Sequence, residues 1–238
     1  MLPAETERVW GFLRIQPALA GFVLGGGSAL ALHIGHRISE DLDFIYPHIR
    51  LPRNRLNALL RAAAAGGFEF APNDNEAALE EFIIAGMELR DYQQDFLVNR
   101  KVKVSFFAPD EQLSNVLAPS AGLEEPVRVA TLAECFRTKA IVSAIRSKSR
   151  DWLDLYMLMR EHGFSVRDYR QAFIDAGIAD QCDTGLARLC SGVAARDDEG
   201  YQDLLPNPPT LAAMKEFFIA QRDSLEIARA AEAKKRGP

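Results

Sequence analysis

Leu24-Gly-Gly-Gly-Ser-Ala-Leu-Ala-Leu-His-Ile-Gly-His-Arg-Ile-Ser-Glu-Asp-Leu-Asp-Phe44 is the stretch whose reading decides the fold of this chain. It opens at the end of a short apolar run, Gly21 to Leu24, that reads as a strand broken by Gly25, Gly26 and Gly27. Ser28 to Ile34 reads as a short helix, with Ser28 as its N-cap and Gly35 where a helix C-terminus favours glycine. Asp41-Leu-Asp-Phe-Ile-Tyr46 then alternates polar and apolar residues, the period of a half-buried strand, and Pro47 closes it.

On that strand Asp41 and Asp43 are two apart, so their carboxylates project from one face. Two aligned carboxylates form an oxygen site for Mg²⁺, which commonly takes one or two carboxylates and fills its shell with phosphates and water. Gly26 and Gly27 let the backbone approach a phosphate closely. The helix start after them offers unpaired N–H groups and the favourable end of the helix dipole, and Ser28 adds a hydroxyl donor. A nucleoside triphosphate fits this arrangement, with phosphates on the glycine turn and its metal on Asp41 and Asp43. Arg37, just ahead of the strand, suits either an ion pair with Asp41 or a contact to phosphate. Either motif alone is commonly a plain turn or a solvated strand face; it is their combination that points to phosphoryl chemistry.

Outward from this stretch, Glu5 to Leu13 and Arg53 to Gly66 read as helices. Phe82 to Leu89 and Asp95 to Val98 read as antiparallel strands, and Lys101-Val-Lys-Val-Ser-Phe-Phe107 as a clear alternating strand stopped by Pro109. From about Pro119 the pattern turns helical. Thr131-Leu-Ala-Glu134 is a capping box for a helix to about Ile145, and Ser165-Val-Arg-Asp168 resembles a second one before Tyr169 to Ala176. Asp151 to Glu161 and Thr210 to about Lys235 complete the helices. The expected class is α+β: a mixed sheet flanked by helices over residues 1–118, then a mostly helical part over 119–238. The boundary falls in the Pro-, Ser- and Gly-rich stretch 108–126.

Composition bounds the function. The 238 residues are 48% hydrophobic and 26% charged, an ordinary globular balance. Apolar runs fall far short of the roughly 20 residues that span a bilayer, so no membrane partner is expected. The acidic N-terminal stretch lacks the pattern of a secretory signal. Cys135, Cys182 and Cys190 are odd in number and widely spaced, which suits thiols in a reducing cytoplasm rather than a zinc site or disulfide frame. A net charge of −5 excludes a general nucleic-acid coating protein and leaves room for a local basic patch. His33 and His36 lack a third ligand at suitable spacing and read as packed or solvent-facing. Lys101 and Lys103 share one strand face, and Lys234-Lys-Arg236 is a short basic end.

Gly26-Gly-Ser-Ala-Leu-Ala-Leu, Gly35-His-Arg and Ser39-Glu-Asp-Leu-Asp-Phe44 together resemble the AbiEii/AbiGii toxin-type nucleotidyltransferases of the DNA polymerase β-like superfamily. Gly27, Ser28, Asp41 and Asp43 fill that superfamily's motif. Lys139-Ala-Ile-Val-Ser-Ala-Ile-Arg146 and Arg150-Asp-Trp-Leu-Asp-Leu-Tyr156 are similar to the family's second-half segments, so the resemblance covers roughly residues 20 to 160. It implies transfer of a nucleoside monophosphate from an NTP to an acceptor hydroxyl, with Mg²⁺, or Mn²⁺ in its place. It further implies that Lys139 contacts the triphosphate and that Asp151 is another active-site carboxylate. RNA, tRNA included, is the implied acceptor, a toxin–antitoxin or phage-defence toxin the implied role, and a separate antitoxin protein the implied partner.

From the residues themselves, Lys139 in its apolar helix reads equally as a lysine snorkelling to solvent, and Asp151 as an acid favouring a helix N-terminus. Asp154, three residues on, reads as an ion-pair partner for Arg150 or Arg146. The chain departs from the wider superfamily in one respect. A third carboxylate is common on a later strand, and Ser105 stands at that position. A serine is neither a carboxylate ligand nor an effective base. That leaves Asp151 as the base, a nucleophile that needs little help, or a poor catalyst. It also keeps open transfer to a small molecule or protein, and a non-catalytic nucleotide-binding module.

Overall fold

A computed structural model describes residues 1–117 and 126–236, so the boundary expected at 118/119 lies outside the described residues. The chain divides into two compact units, Met1–Cys135 and Phe136–Pro238.

In the first unit, helix α1 (Ala4–Leu13) is followed by β1 (Phe22–Leu24), α2 (Gly26–Ile34), β2 (Leu42–Ile45) and α3 (Arg53–Ala65). Then come β3 (Phe70–Pro72), α4 (Glu76–Ile84), β4 (Gln93–Val98), β5 (Val102–Phe107), the single turn α5 (Glu111–Ser114) and β6 (Val127–Val129). The six strands form one mixed sheet in the order β3-β4-β5-β2-β1-β6. Strand β1 is antiparallel to β2 and parallel to β6, and β2 is parallel to β5. This is the mixed sheet with flanking helices that the alternation pattern predicts.

One sheet face carries the core. Phe22, Leu42, Phe44, Phe96, Val104 and Phe106 lie buried there with Val9, Trp10 and Leu13 of α1 and Leu56, Leu59 and Ala63 of α3. Phe44 stacks on Phe106 at 5.2 Å between ring centroids, and Phe22 meets Phe106 edge-on at 5.9 Å. Because side chains alternate along a strand, the apolar residues that fill this core leave Asp43 and Ser105 on the opposite face.

Three expectations need correction. Helix α2 starts at Gly26, not Ser28. Its N-cap is Gly25, without a side-chain cap, while Gly35 closes it in the left-handed region at φ 57° as expected. Phe82–Ile84 belongs to α4 and not to a strand. Asn75 accepts from Ala78 N at 3.1 Å and caps a run of good helix formers, Glu76-Ala-Ala-Leu-Glu-Glu81. The strand paired with β4 on that side is β3, whose Phe70-Ala-Pro72 offers too short a run to show a period.

The second unit is helical. Helix α6 (Leu132–Ser143) leads into it, followed by α7 (Ser149–Glu161), α8 (Val166–Asp175), α9 (Cys182–Ser191) and α10 (Leu211–Arg236). Both capping boxes form: Glu134 accepts from Thr131 N at 2.7 Å, and Asp168 accepts from Ser165 N at 2.8 Å. Helix α9 went unpredicted; its Gly185 sits mid-helix, where glycine weakens the signal. Trp152, Leu153, Leu155, Tyr169, Phe173, Leu186, Leu189, Met214 and Phe218 form this unit's buried interior. None of the described helices is long and apolar enough to cross a membrane.

Candidate active site

The glycine turn between β1 and α2 is built against the carboxylate strand. Gly25 N donates to Asp43 O at 2.8 Å, which holds the turn on β2. Gly26 has φ +62°, and a Cβ there would lie 2.2 Å from Asp43 Oδ2. Gly27 has the same constraint on its other side: a Cβ would meet Arg37 Nη2 at 2.5 Å and Ser39 Oγ at 2.8 Å. The glycines are thus required twice, for the left-handed backbone at Gly26 and for close approach to a carboxylate and a guanidinium. The first N–H groups of α2 have no partners in the helix ladder and open onto this turn.

Ser28 serves the frame. It is 1% exposed, and its hydroxyl donates to the backbone oxygen of Asp41 and lies 3.1 Å from Ser39 Oγ. The hydroxyl expected to reach a phosphate instead ties α2 to the residue that starts the carboxylate strand. Arg37 is 5% exposed, with Nη1 donating to Ile38 O at 2.9 Å and its own carbonyl accepting from the Met1 amino group at 2.7 Å. Asp41 and Asp43 are both half-buried, Asp43 within β2 and Asp41 immediately before it. His33 turns away from a metal role, with Nε2 2.7 Å from Ala130 O. Among the described residues, no group of three His, Cys, Asp or Glu is arranged to hold a metal ion. Asp41 and Asp43 are two neighbouring carboxylates, and Asp43 Oδ2 occupies the space that a Cβ at Gly26 would take. Such a pair suits a hard, oxygen-seeking cation that completes its shell with ligand phosphates and water, as Mg²⁺ does.

The sheet register adds a residue that the strand pattern did not single out. Asp43 pairs with Ser105 across β2 and β5, and Ser105 pairs with Asp95 across β5 and β4. Directly paired residues share a face, so Asp43, Ser105 and Asp95 form one row across three strands. Asp95 is 5% exposed. Its Oδ2 accepts from Gln93 Nε2 at 2.7 Å, while its Oδ1 is buried without a hydrogen-bond partner among the described residues. The signal available in the sequence was an acid inside an apolar strand, Gln93-Gln-Asp-Phe-Leu-Val98. Its meaning depends on a strand register that composition does not reveal.

The helical unit holds the remaining two predicted residues. Lys139 of α6 is 7% exposed, and its ammonium lies 2.5 Å from Asp151 Oδ1 and 2.8 Å from Asp154 Oδ2, both on α7. Arg146 Nε donates to Asp151 Oδ2 at 2.8 Å. Two carboxylates and one ammonium are thus buried together, and the exposed Arg146 guanidinium caps Asp151 from the surface. Lys139 does not snorkel to solvent, and Asp154 pairs with it. Burial pushes the Asp151 carboxyl up, yet Lys139 and Arg146 together more than offset this and hold it below the usual carboxylate range. A carboxylate so held is a weak proton acceptor.

The family model described as "Nucleotidyl transferase AbiEii toxin, Type IV TA system" matches residues 12–235. The chain is similar to the crystal structure of a proposed nucleotidyltransferase from H. pylori. That match has a TM-score of 0.51 and 19% identity, covering 94% of this chain and 96% of the other, a likeness of fold. No curated protein matches.

Proposed function

This chain belongs to the AbiEii nucleotidyl transferase toxin family of type IV toxin–antitoxin systems, and from that premise we propose that it transfers a nucleoside monophosphate from an NTP to a hydroxyl of RNA with Mg²⁺ as cofactor. The observation that carries the reading is the Asp43 carboxylate seated directly over Gly26 at the N-terminus of α2. A triphosphate on that turn would meet backbone N–H donors and the positive end of the helix, with two carboxylates alongside to hold its cation.

Asp41 and Asp43 are the residues that would hold Mg²⁺, which when bound neutralises charge on the phosphates and on the oxygens that attack and leave. The chain's own part is positioning. Gly26 and Gly27 admit the phosphates to the backbone. Ser28 fixes Asp41 through its carbonyl, and Arg37 braces the turn beside Gly27. In the reaction the acceptor oxygen bonds to the α-phosphorus, the bond to the β-phosphate oxygen breaks, and pyrophosphate leaves. Such transfer depends chiefly on orientation and electrostatics, so a weak base is tolerable. The acceptor proton leaves to solvent water, because Asp151, held below the usual carboxylate range by Lys139 and Arg146, is a weak proton acceptor. Asp95 is the further carboxylate in the row that contains Asp43. Lys139 and Asp151 are assigned to the reaction on the family resemblance, Lys139 as a triphosphate contact and Asp151 as a further active-site carboxylate; the ion pair between them supports a shared role.

The test is incubation with each α-labelled NTP, Mg²⁺ and total tRNA, beside the Asp41→Ala/Asp43→Ala variant and an EDTA control. Label on RNA that vanishes in both controls supports the reading. Label on protein or a small acceptor would redirect the acceptor assignment. NTP binding with no pyrophosphate release under any condition would make the protein a binding module, the reading that Ser105 favours.

A further inference from the structure

Helices α8 and α10 of the second unit face each other with matching triads. Arg167, Arg170 and Gln171 occupy positions i, i+3 and i+4 of α8, and Leu225, Ala228 and Arg229 occupy the same spacing on α10. Together they line a cavity of about 190 Å³. Leu225, 4% exposed, is the buried member of the lining, and the guanidiniums are the charged ones.

Among the described residues, no carboxylate lines this cavity. Of the acids nearby in sequence, Asp168 serves the Ser165 cap and Asp175 accepts from Gln171 Nε2 at 2.7 Å, while Asp183 pairs with Arg229 Nη1 at 2.9 Å and offsets that one guanidinium of the three. Neither Arg167 nor Arg170 forms an ion pair among the described residues, whereas Arg146, Arg150 and Arg222 of the same unit each pair with a carboxylate. Arg229 and Arg170 also both reach the field of the buried Cys182 thiol, drawing its pKa down against the burial that raises it. With Arg229 paired to Asp183, Arg167 and Arg170 leave two like charges at one cavity, which opposes folding unless an anion offsets them, and the planar fork of arginine matches the oxygens of a phosphate. The unit's composition agrees. Residues 136–238 carry 16 Lys and Arg against 15 Asp and Glu, while residues 1–135 carry 12 against 18.

We propose that the cleft lined by Arg167, Arg170 and Arg229 binds a backbone phosphate of the acceptor RNA, a site separate from the residues assigned to the triphosphate. The inference rests on the RNA acceptor of the function proposed above. A backbone phosphate fits better than a free one because Arg167 is exposed and the cleft opens to solvent, where a continuing strand has room to pass.

The experiment measures binding of a fluorescein-labelled single-stranded RNA across a salt series, without NTP. Each phosphate contact contributes ~0.7 to the slope of log K against log salt. Losing two therefore lowers the slope by about 1.4 and weakens binding ~25-fold near ~0.1 M salt. Arg167→Ala/Arg170→Ala shows that change with its thermal midpoint intact, and Arg167→Lys/Arg170→Lys keeps the wild-type slope. The same drop appears when the arginine changes are made in the Asp41→Ala/Asp43→Ala background. Failure of the transferase reading therefore shows as missing label, and failure of the cleft as an unchanged slope. A folded Arg167→Ala/Arg170→Ala protein with wild-type slope and affinity overturns the proposal. So does inorganic phosphate that raises the wild-type thermal midpoint through these arginines while RNA binding ignores them, which would make the cleft a free-phosphate site.

Discussion

Replacing Gly26 by alanine tests the geometry on which the active site rests, because Gly35 provides a matched control. Both residues sit in the left-handed region, at φ +62° and φ +57°. An L-residue there costs ~1–2 kcal/mol, and the stiffer unfolded chain returns ~0.4–1 kcal/mol, so the backbone effect is about 1 kcal/mol at either site. The two differ in what the new methyl meets. At Gly35 the nearest atom is Ala31 O at 4.0 Å, ordinary contact; at Gly26 it is Asp43 Oδ2 at 2.2 Å. The carboxylate must therefore withdraw by roughly an ångström to reach normal contact, and such a misplacement at a reacting centre costs ~10²-fold in rate. Gly35→Ala should then lower Tm by about 2–4 °C with transfer nearly unchanged. Gly26→Ala should show a similar Tm and about a hundredfold loss of labelled-NTP incorporation. Tm by calorimetry and rate by incorporation of α-labelled NTP decide it. Wild-type turnover in Gly26→Ala would refute the claim that Asp43 works from the position it holds here, and equal activity loss in Gly35→Ala would trace the effect to α2 as a whole.

Lys139→Met leaves Asp151 and Asp154 facing each other in the interior without their shared cation, and should destabilise the protein by ~3–5 kcal/mol in urea titration; a loss below about 1 kcal/mol would mean that the cluster is not an ion pair in solution. Asp151 has a folded pKa below its unfolded value near ~4, so the stabilisation it gives is present above that pH and lost as pH falls through the folded value. Asp151→Asn should accordingly flatten the stability curve below about pH 4 by up to ~1.4 kcal/mol per pH unit, and a curve parallel to wild type there would contradict the assignment. Gly185→Ala puts a methyl 2.3 Å from the Tyr169 hydroxyl, which is held 2.6 Å from Ser143 Oγ, and should cost ~1–3 kcal/mol by overpacking. Pairing it with Tyr169→Phe should recover part of that loss in thermal melts, and no recovery would place the strain elsewhere.

Short-range information in the chain fixed a large share of this. The alternation in Asp41 to Tyr46 and both capping boxes are local patterns, and the strand Leu42–Ile45 and the two capped helices appear where those patterns put them. Asp43 is legible on the face opposite the core because a strand's two-residue repeat needs nothing beyond the strand itself, and Asp41 stands immediately before that strand. Helix α2 was misjudged by two residues because Ser28 looks like a cap, while its hydroxyl is drawn to Asp41 O across the turn, a contact that exists only when β2 is in place. The Phe82 run was misread because a short apolar stretch is ambiguous until its neighbours show whether a strand is there to pair with it. What tertiary structure alone decided was company: Asp95 in the row with Asp43 through Ser105, Asp154 on Lys139, and three arginines about one cavity. Each of these joins residues by strand register or helix packing, and such long-range pairings depend on the whole hydrophobic core settling at once, which no local window of sequence contains.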